Sequence, residues 1–230
     1  MIANLIDKQD NFEIVRDKLA SILANEIANQ RVLAVTAGKP NPDLWNFKTY
    51  TERSNPWELF LNTDQNTILA DALPIVNVWF DNGNADPSKS NVIERQKVDG
   101  IFNVDVYAFG KAKDNPNGGH IAGDENAAKE VQRVYTLVRN ILMAAEYTYL
   151  SDPVLNRFIW GRWLQSFTAF QPEQTNQSVQ QVQAIRAVFQ VTFNEFSPQV
   201  EGEPLELVTN TIKRELDGAI IAEANYDYTT

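Results

Sequence analysis

The chain holds one histidine, His120, in the stretch GKAKDNPNGGHIAGDEN that follows Phe109. A Ser-His-Asp or Cys-His relay needs an imidazole held rigidly by a third group, and a loop flanked by Gly118, Gly119 and Gly123 does not hold one. His120 therefore reads as an ordinary loop residue. The same loop places Asp114, Gly119 and Glu125 at the first, sixth and twelfth positions of a calcium-binding loop. Its third and fifth positions are Pro116 and Gly118, which offer no side-chain oxygen, so a metal site is not expected. NPNGGH lacks the lysine with which a phosphate loop reaches its nucleotide. Asp99 and Asp105 share a strand face, but six residues at ~3.3 Å each put them ~20 Å apart, too far for a glycosidase pair. They read as part of a solvated strand face. Asn176-Gln177-Ser178 fits a glycosylation sequon, which has meaning only in a secreted protein. Neither catalytic, cofactor nor metal residues are assigned, and the expectation is a protein that is not an enzyme. A carboxylate-dependent hydrolase is the rival reading.

Composition narrows the classes further. Cysteine is absent, so no disulfide framework or thiolate metal site exists, and the start MIANLIDKQDNFEIV lacks the basic and apolar regions of a signal peptide. No apolar run approaches ~18 residues, so no membrane span is expected. Thirty acidic residues against twenty basic give a net charge of −10, which repels a phosphate backbone. Sequence-specific nucleic-acid binding is not expected.

The elements that position these residues are legible from hydrophobic period. Asp10 or Asn11 caps a helix to about Arg31, with Phe12, Val15, Leu19, Ile22, Leu23 and Ile27 on one stripe. Val98 to Phe109 alternates, with Phe102, Val104, Val106 and Ala108 facing a core and Asn103, Asp105 and Tyr107 facing water. Gln183 to Phe196 does the same: Ile185, Ala187, Phe189, Val191 and Phe193 lie on one side, Arg186, Gln190, Thr192 and Asn194 on the other. Between them Asp124 caps a second helix to Tyr147, with Ala128, Val131, Val134, Tyr135, Val138, Ile141, Leu142 and Ala145 as its apolar stripe. Leu73 to Phe80 and Trp163 to Phe170 read as further strands, and Asp81-Asn82-Gly83-Asn84 as turn chemistry leading to the strand at 98.

The fold class is α+β: a mostly antiparallel sheet with two amphipathic helices packed on one face, plus an aromatic excursion and a C-terminal β-hairpin. Residues 1–200 form one domain with an inserted excursion at 38–73, and 201–230 a hairpin around Asp217-Gly218. Trp45, Tyr50 and Trp57 of the excursion either form an interface or fold back on the core. The hairpin, through Leu205, Leu207 and Ile212, either adds to a neighbour's sheet or completes its own.

A first helix, two strands ending in VDGIFNVDVYAFG, the long helix AAKEVQRVYTLVRNILMAAEY and two strands ending in VQAIRAVFQVTFNEFSP together resemble the tail terminator and neck proteins of long-tailed bacteriophages. The resemblance covers Asp10 to Phe196 outside the excursion and is one of topology and pattern. It implies a virion protein assembled in the host cytoplasm, whose α+β subunits form a ring of six. That ring terminates the tail tube and joins it to the head connector, with tail tube, sheath and connector proteins as partners. DNA would pass through its lumen unread, and the same pattern also fits another neck or connector component.

Overall fold

The computed structural model describes residues 9–60, 73–85, 87–89, 95–115, 119–150, 159–172, 182–196, 207–213 and 220–227. Helix α1 spans Asn11–Thr36. Asp10 starts it: its N–H donates to the Glu13 carboxylate at 3.0 Å, and the Glu13 N–H donates to the Asp10 carbonyl at 3.1 Å, satisfying donors that a helix start leaves open. Val15, Leu19, Ile22, Leu23 and Ile27 are buried, as their three-and-four spacing requires. The helix runs past the expected Arg31 because nothing breaks it before Gly38, which adopts φ +64 and lets the Lys39 N–H reach the Ala34 carbonyl at 3.0 Å.

Strand β1 is Lys48–Thr51, β2 Ile75–Ala85 and β3 Arg95–Phe109. A minimal pair, β4 (Lys113–Asp114) and β5 (His120–Ile121), precedes helix α2, Gly123–Leu142, and β6 (Ile159–Phe170) and β7 (Val182–Phe196) follow. The large sheet has the order β1-β2-β3-β7-β6; β1 runs parallel to β2 and every other pairing is antiparallel. Strands β8 (Leu207–Lys213) and β9 (Ile220–Asp227) form a separate two-stranded sheet. The large sheet and both helices belong to one compact unit, Lys8–Ser197, and the hairpin to a second. Asp217-Gly218 lies outside the described residues.

Both helices lie on one face of the large sheet. Val15, Leu19, Leu23 and Ile27 of α1 and Val131, Val134, Val138 and Leu142 of α2 join Val76, Val78, Phe102, Val104, Val106, Ala187, Phe189 and Val191 in one core. Each such side chain contributes ~1.5–3 kcal/mol by leaving water. Gly110, just past β3, lies so close to the start of α2 that a Cβ there would come within 2.3 Å of the Ala127 nitrogen and the Gly123 carbonyl oxygen. Glycine lets the strand turn directly into its helix.

The structure differs from the sequence pattern at several boundaries. β2 continues through Asp81-Asn82-Gly83-Asn84 rather than turning there, because its ladder with β3 extends to Ala85 opposite Val98 across a bulge between Phe80 and Asn82. The excursion contributes β1 and two 3-10 turns, Pro42–Trp45 and Pro56–Phe60; a four-residue strand is too short to show a period. Ala122, not Asp124, is the N-cap of α2, which ends at Leu142 before a 3-10 turn at Ala145–Tyr147. Ala127 rather than Ala128 is its buried alanine. β6 begins at Ile159, before the expected Trp163.

The largest correction concerns the second face of the sheet. Asn103, Asp105, Tyr107, Thr192 and Asn194 are buried, and Arg186 and Gln190 half-buried. Alternation marks which residues point away from the helices; it does not reveal what folds over them.

If the α2 stripe holds the sheet, Val138→Asp buries an unpaired charge at a fully buried position and costs ~3–5 kcal/mol. Arg139→Asp, exposed in the last turn, costs within about 1 kcal/mol through the helix dipole. Thermal melts compare the two; equal melting temperatures contradict this packing.

Candidate functional site

The segment after β1 explains the covered face. Asn77, buried on β2, accepts from the Arg53 N–H at 3.1 Å and donates to the Arg53 carbonyl at 3.0 Å. Glu52 takes a left-handed φ of 52 and aims its carboxylate at the Phe80 N–H, 3.0 Å, and at Arg16 of α1, 3.2 Å. Pinned in this way, the chain lays Trp57 and Phe60 across the sheet. Phe60, Ile75, Tyr107, Val182 and Ala184 form a second core, with Tyr50, Trp57, Phe109 and Phe170 packed against it.

Beside this core Asp105, 2% exposed, receives four hydrogen bonds. Arg186 binds it in a fork, Nε to Oδ1 at 2.7 Å and Nη2 to Oδ2 at 2.8 Å; Trp79 Nε1 donates to Oδ2 at 3.0 Å and the Tyr107 hydroxyl at 3.2 Å. The guanidinium also lies 4.9 Å from the centre of the Trp79 ring and 5.2 Å from that of Phe170. Burial and the Asp105 charge push the Tyr107 phenol far above its ordinary range, and the hydrogen bond to Asp105 raises Arg186. A cleft of about 710 Å³ opens above these groups, lined by Glu52, Arg53, Trp57, Trp79, Phe170 and Arg186 among others.

Aromatic walls over a carboxylate are the parts of a cation-binding cage. Here the cation is the chain's own Arg186. Three of the four hydrogen bonds fall on Oδ2 and one on Oδ1, and the two-point fork of Arg186 makes Asp105 the counter-ion of a part-buried cation. The cluster is the floor of the fold's second face.

Of the expected contact residues, Trp45 is half-buried against the main core, and Tyr50 and Trp57 against the second, Trp57 with its ring 5.5 Å from Tyr107. The aromatic excursion folds back on the core. Leu205 lies outside the described residues; Leu207 and Ile212 pair with Asp227 and Ala222 across the hairpin. His120 is exposed opposite Asp114. Asp99 accepts a hydrogen bond from the Thr192 hydroxyl. Among the described residues no group of His, Cys, Asp and Glu is arranged to hold a metal, and no helix is long and apolar enough to cross a membrane.

The sequence pattern found β6 from Trp163 to Phe170 but not its start at Ile159, and it did not single out the strand's exposed aromatic residues. Trp160, Trp163 and Phe167 are 56%, 51% and 60% exposed on this edge strand. Trp160 is partly fixed, donating from Nε1 to Asn194 at 3.1 Å with Lys97 Nζ 4.4 Å from its ring centre. Register shifts between Ile159 and Gly161 and between Leu164 and Ser166 break the alternation, which hid the strand's first residues, 159–162. Three aromatic residues within eight positions were the available signal. No protein-family model matches the sequence, and no curated protein matches it.

Removing the Asp105 charge as Asp105→Asn leaves Arg186 half-buried without its counter-ion, a loss of ~2–3 kcal/mol in denaturant unfolding. Asp105→Asn/Arg186→Met recovers part of it. Because the folded state raises the Tyr107 pKa, its stabilising contribution is complete below tyrosine's ordinary ~10 and lost as pH rises beyond that. Tyr107→Phe therefore flattens the alkaline fall in stability; an unchanged slope contradicts the assignment.

Proposed function

We propose that this chain is a structural subunit of a long-tailed bacteriophage neck, closing into a ring of six that terminates the tail tube and joins it to the head connector. The observation that carries the reading is the open edge strand β6. Among the described residues its backbone groups on one side have no neighbouring strand, and it displays Trp160, Trp163 and Phe167 more than half exposed. Long aromatic-bearing edges invite pairing or packing with another chain. The element order, one helix, strands, a long helix and two strands on an α+β scaffold, is what the resemblance implies for such a subunit. A net charge of −10 suits a ring through which DNA slides without sticking.

No part of this role needs resident chemistry. The Asp105–Arg186 cluster holds the second face of the sheet together, and assembly rests on surface.

Light scattering on the purified protein reads the subunit number, and negative-stain images read the shape. The expected result is a closed ring with about six times the 26.0 kDa subunit mass, unchanged by EDTA. A monomer at all concentrations overturns the reading, and loss of the ring in EDTA with recovery on adding calcium would make the Asp114–Glu125 loop a metal site.

A further inference from the structure

The cleft of about 710 Å³ above Asp105 is lined by two carboxylates, Glu52 and Asp105, and two guanidinium groups, Arg53 and Arg186. Its volume falls within the ~300–1,000 Å³ range of small-molecule sites. Both carboxylates are engaged by the chain itself. Asp105 is buried and receives four hydrogen bonds, and Glu52 accepts from the Phe80 N–H and from Arg16 of α1. Asp81 also acts on Arg186, but it does not line the cleft.

The guanidinium groups have donors left over. Arg186 turns its Nε and Nη2 edge to Asp105, and the planar fork puts both Nη1 N–H groups on the side away from that carboxylate. The Arg186 side chain is 39% exposed against 2% for Asp105, so the ion pair shows its cationic member to the cleft. Arg53 is exposed, with its guanidinium 5.2 Å from the centre of the Tyr50 ring, and no carboxylate among the described residues pairs with it.

Much of the remaining wall is ring surface, from Trp57, Trp79 and Phe170. The rings are fixed from behind: Trp79 donates its indole N–H to Asp105, and Trp57 and Phe170 pack on Tyr107 with ring centres 5.5 and 5.9 Å away. A preformed wall loses little freedom when a ligand arrives. Fixed rings beside unfilled guanidinium donors complement a planar group that carries charged oxygens, since rings stack on rings and guanidinium groups bind carboxylate or phosphate through paired N–H bonds. We propose that this cleft is a small-molecule binding site whose ligand is a planar ring bearing a carboxylate or a phosphate. Its oxygens meet Arg53 and the Nη1 of Arg186, and its ring lies among Trp57, Trp79 and Phe170. The site lies within one subunit and does not depend on the assembly reading above.

Calorimetric titration of the full chain with benzoate and with phenyl phosphate tests the site, with benzamide as the uncharged control. At least one of the anions should saturate a single site with a Kd of ~1 mM or tighter, and benzamide should bind at least ~tenfold more weakly. The tighter of the two anions tells carboxylate from phosphate. In amide NMR, residues 53–55, 105 and 186 should shift on titration while α2 does not. Arg53→Ala should weaken anion binding at least ~tenfold with an unchanged melting temperature, because Asn77 holds the Arg53 backbone and not its side chain. If it melts low, Arg53→Gln takes its place. Arg139→Ala, exposed on the helix across the sheet, should leave binding as it is. Failure of both anions to saturate, equal affinity for benzamide, shifts confined to other regions, or a loss in Arg53→Ala no greater than in Arg139→Ala overturns the site. A wild type that binds in this way but forms no ring keeps the site and overturns the assembly reading alone.

Discussion

Asp105 lies in the central strand of a five-stranded sheet with its carboxylate removed from water, and the second face of the molecule is arranged around satisfying it. An ionised carboxylate without partners in such a place would cost several kcal/mol. The fork of Arg186, the Trp79 indole and the Tyr107 hydroxyl supply four donors. Each is drawn from a position that register places opposite or beside Asp105: Arg186 pairs with it across β7, and Asn77, a neighbour of Trp79 on β2, pairs with it on the other side. Trp79 and Phe170 hold the guanidinium, Tyr107 and Trp57 continue the aromatic layer, and Asn77 ties down the backbone of the segment that brings Trp57 in. Helices cover one face of the sheet and this layer covers part of the other.

A sheet covered in this way has little left to offer another chain except its edges. The edge at β1 is short and bordered by the end of α1; the edge at β6 is a 12-residue strand. Natural proteins blunt such edges with charge, proline or bulges. β6 has two register shifts, yet it carries three exposed aromatic rings and its one arginine is turned inward to the Ala144 and Tyr147 carbonyls. A surface built against solvent would be charged there. Aromatic residues at an edge fit a strand that another chain covers, which is the ground of the proposed assembly.

The core of the fold was legible because its signals are long. Fourteen residues of alternation in β7 and five turns of helical period in α2 leave one reading. What escaped was short or locally contradicted: the four residues of β1, the turn-type Asp81-Asn82-Gly83-Asn84 that pairs as strand, and the first residues, 159–162, of the interrupted β6. The Asp105 cluster escaped for a different reason. Polar residues at alternate positions look the same whether water or a folded-back segment lies above them, and the partners of Asp105 come from positions 79, 107 and 186. Only pairing brings Asp105 and Arg186 face to face, and no local pattern states a pairing. The aromatic excursion could be read either as interface or as cover for the same reason.

The central claim, that the β6 edge is where copies meet, is tested most directly by hydrogen–deuterium exchange across a dilution series. Outward-facing amides of β6, residues 159–170, should exchange quickly in dilute monomer and become protected as concentration rises, while peptides from the solvent face of α2 stay unchanged. Exchange on β6 that is independent of concentration while the protein's mass increases would contradict the account.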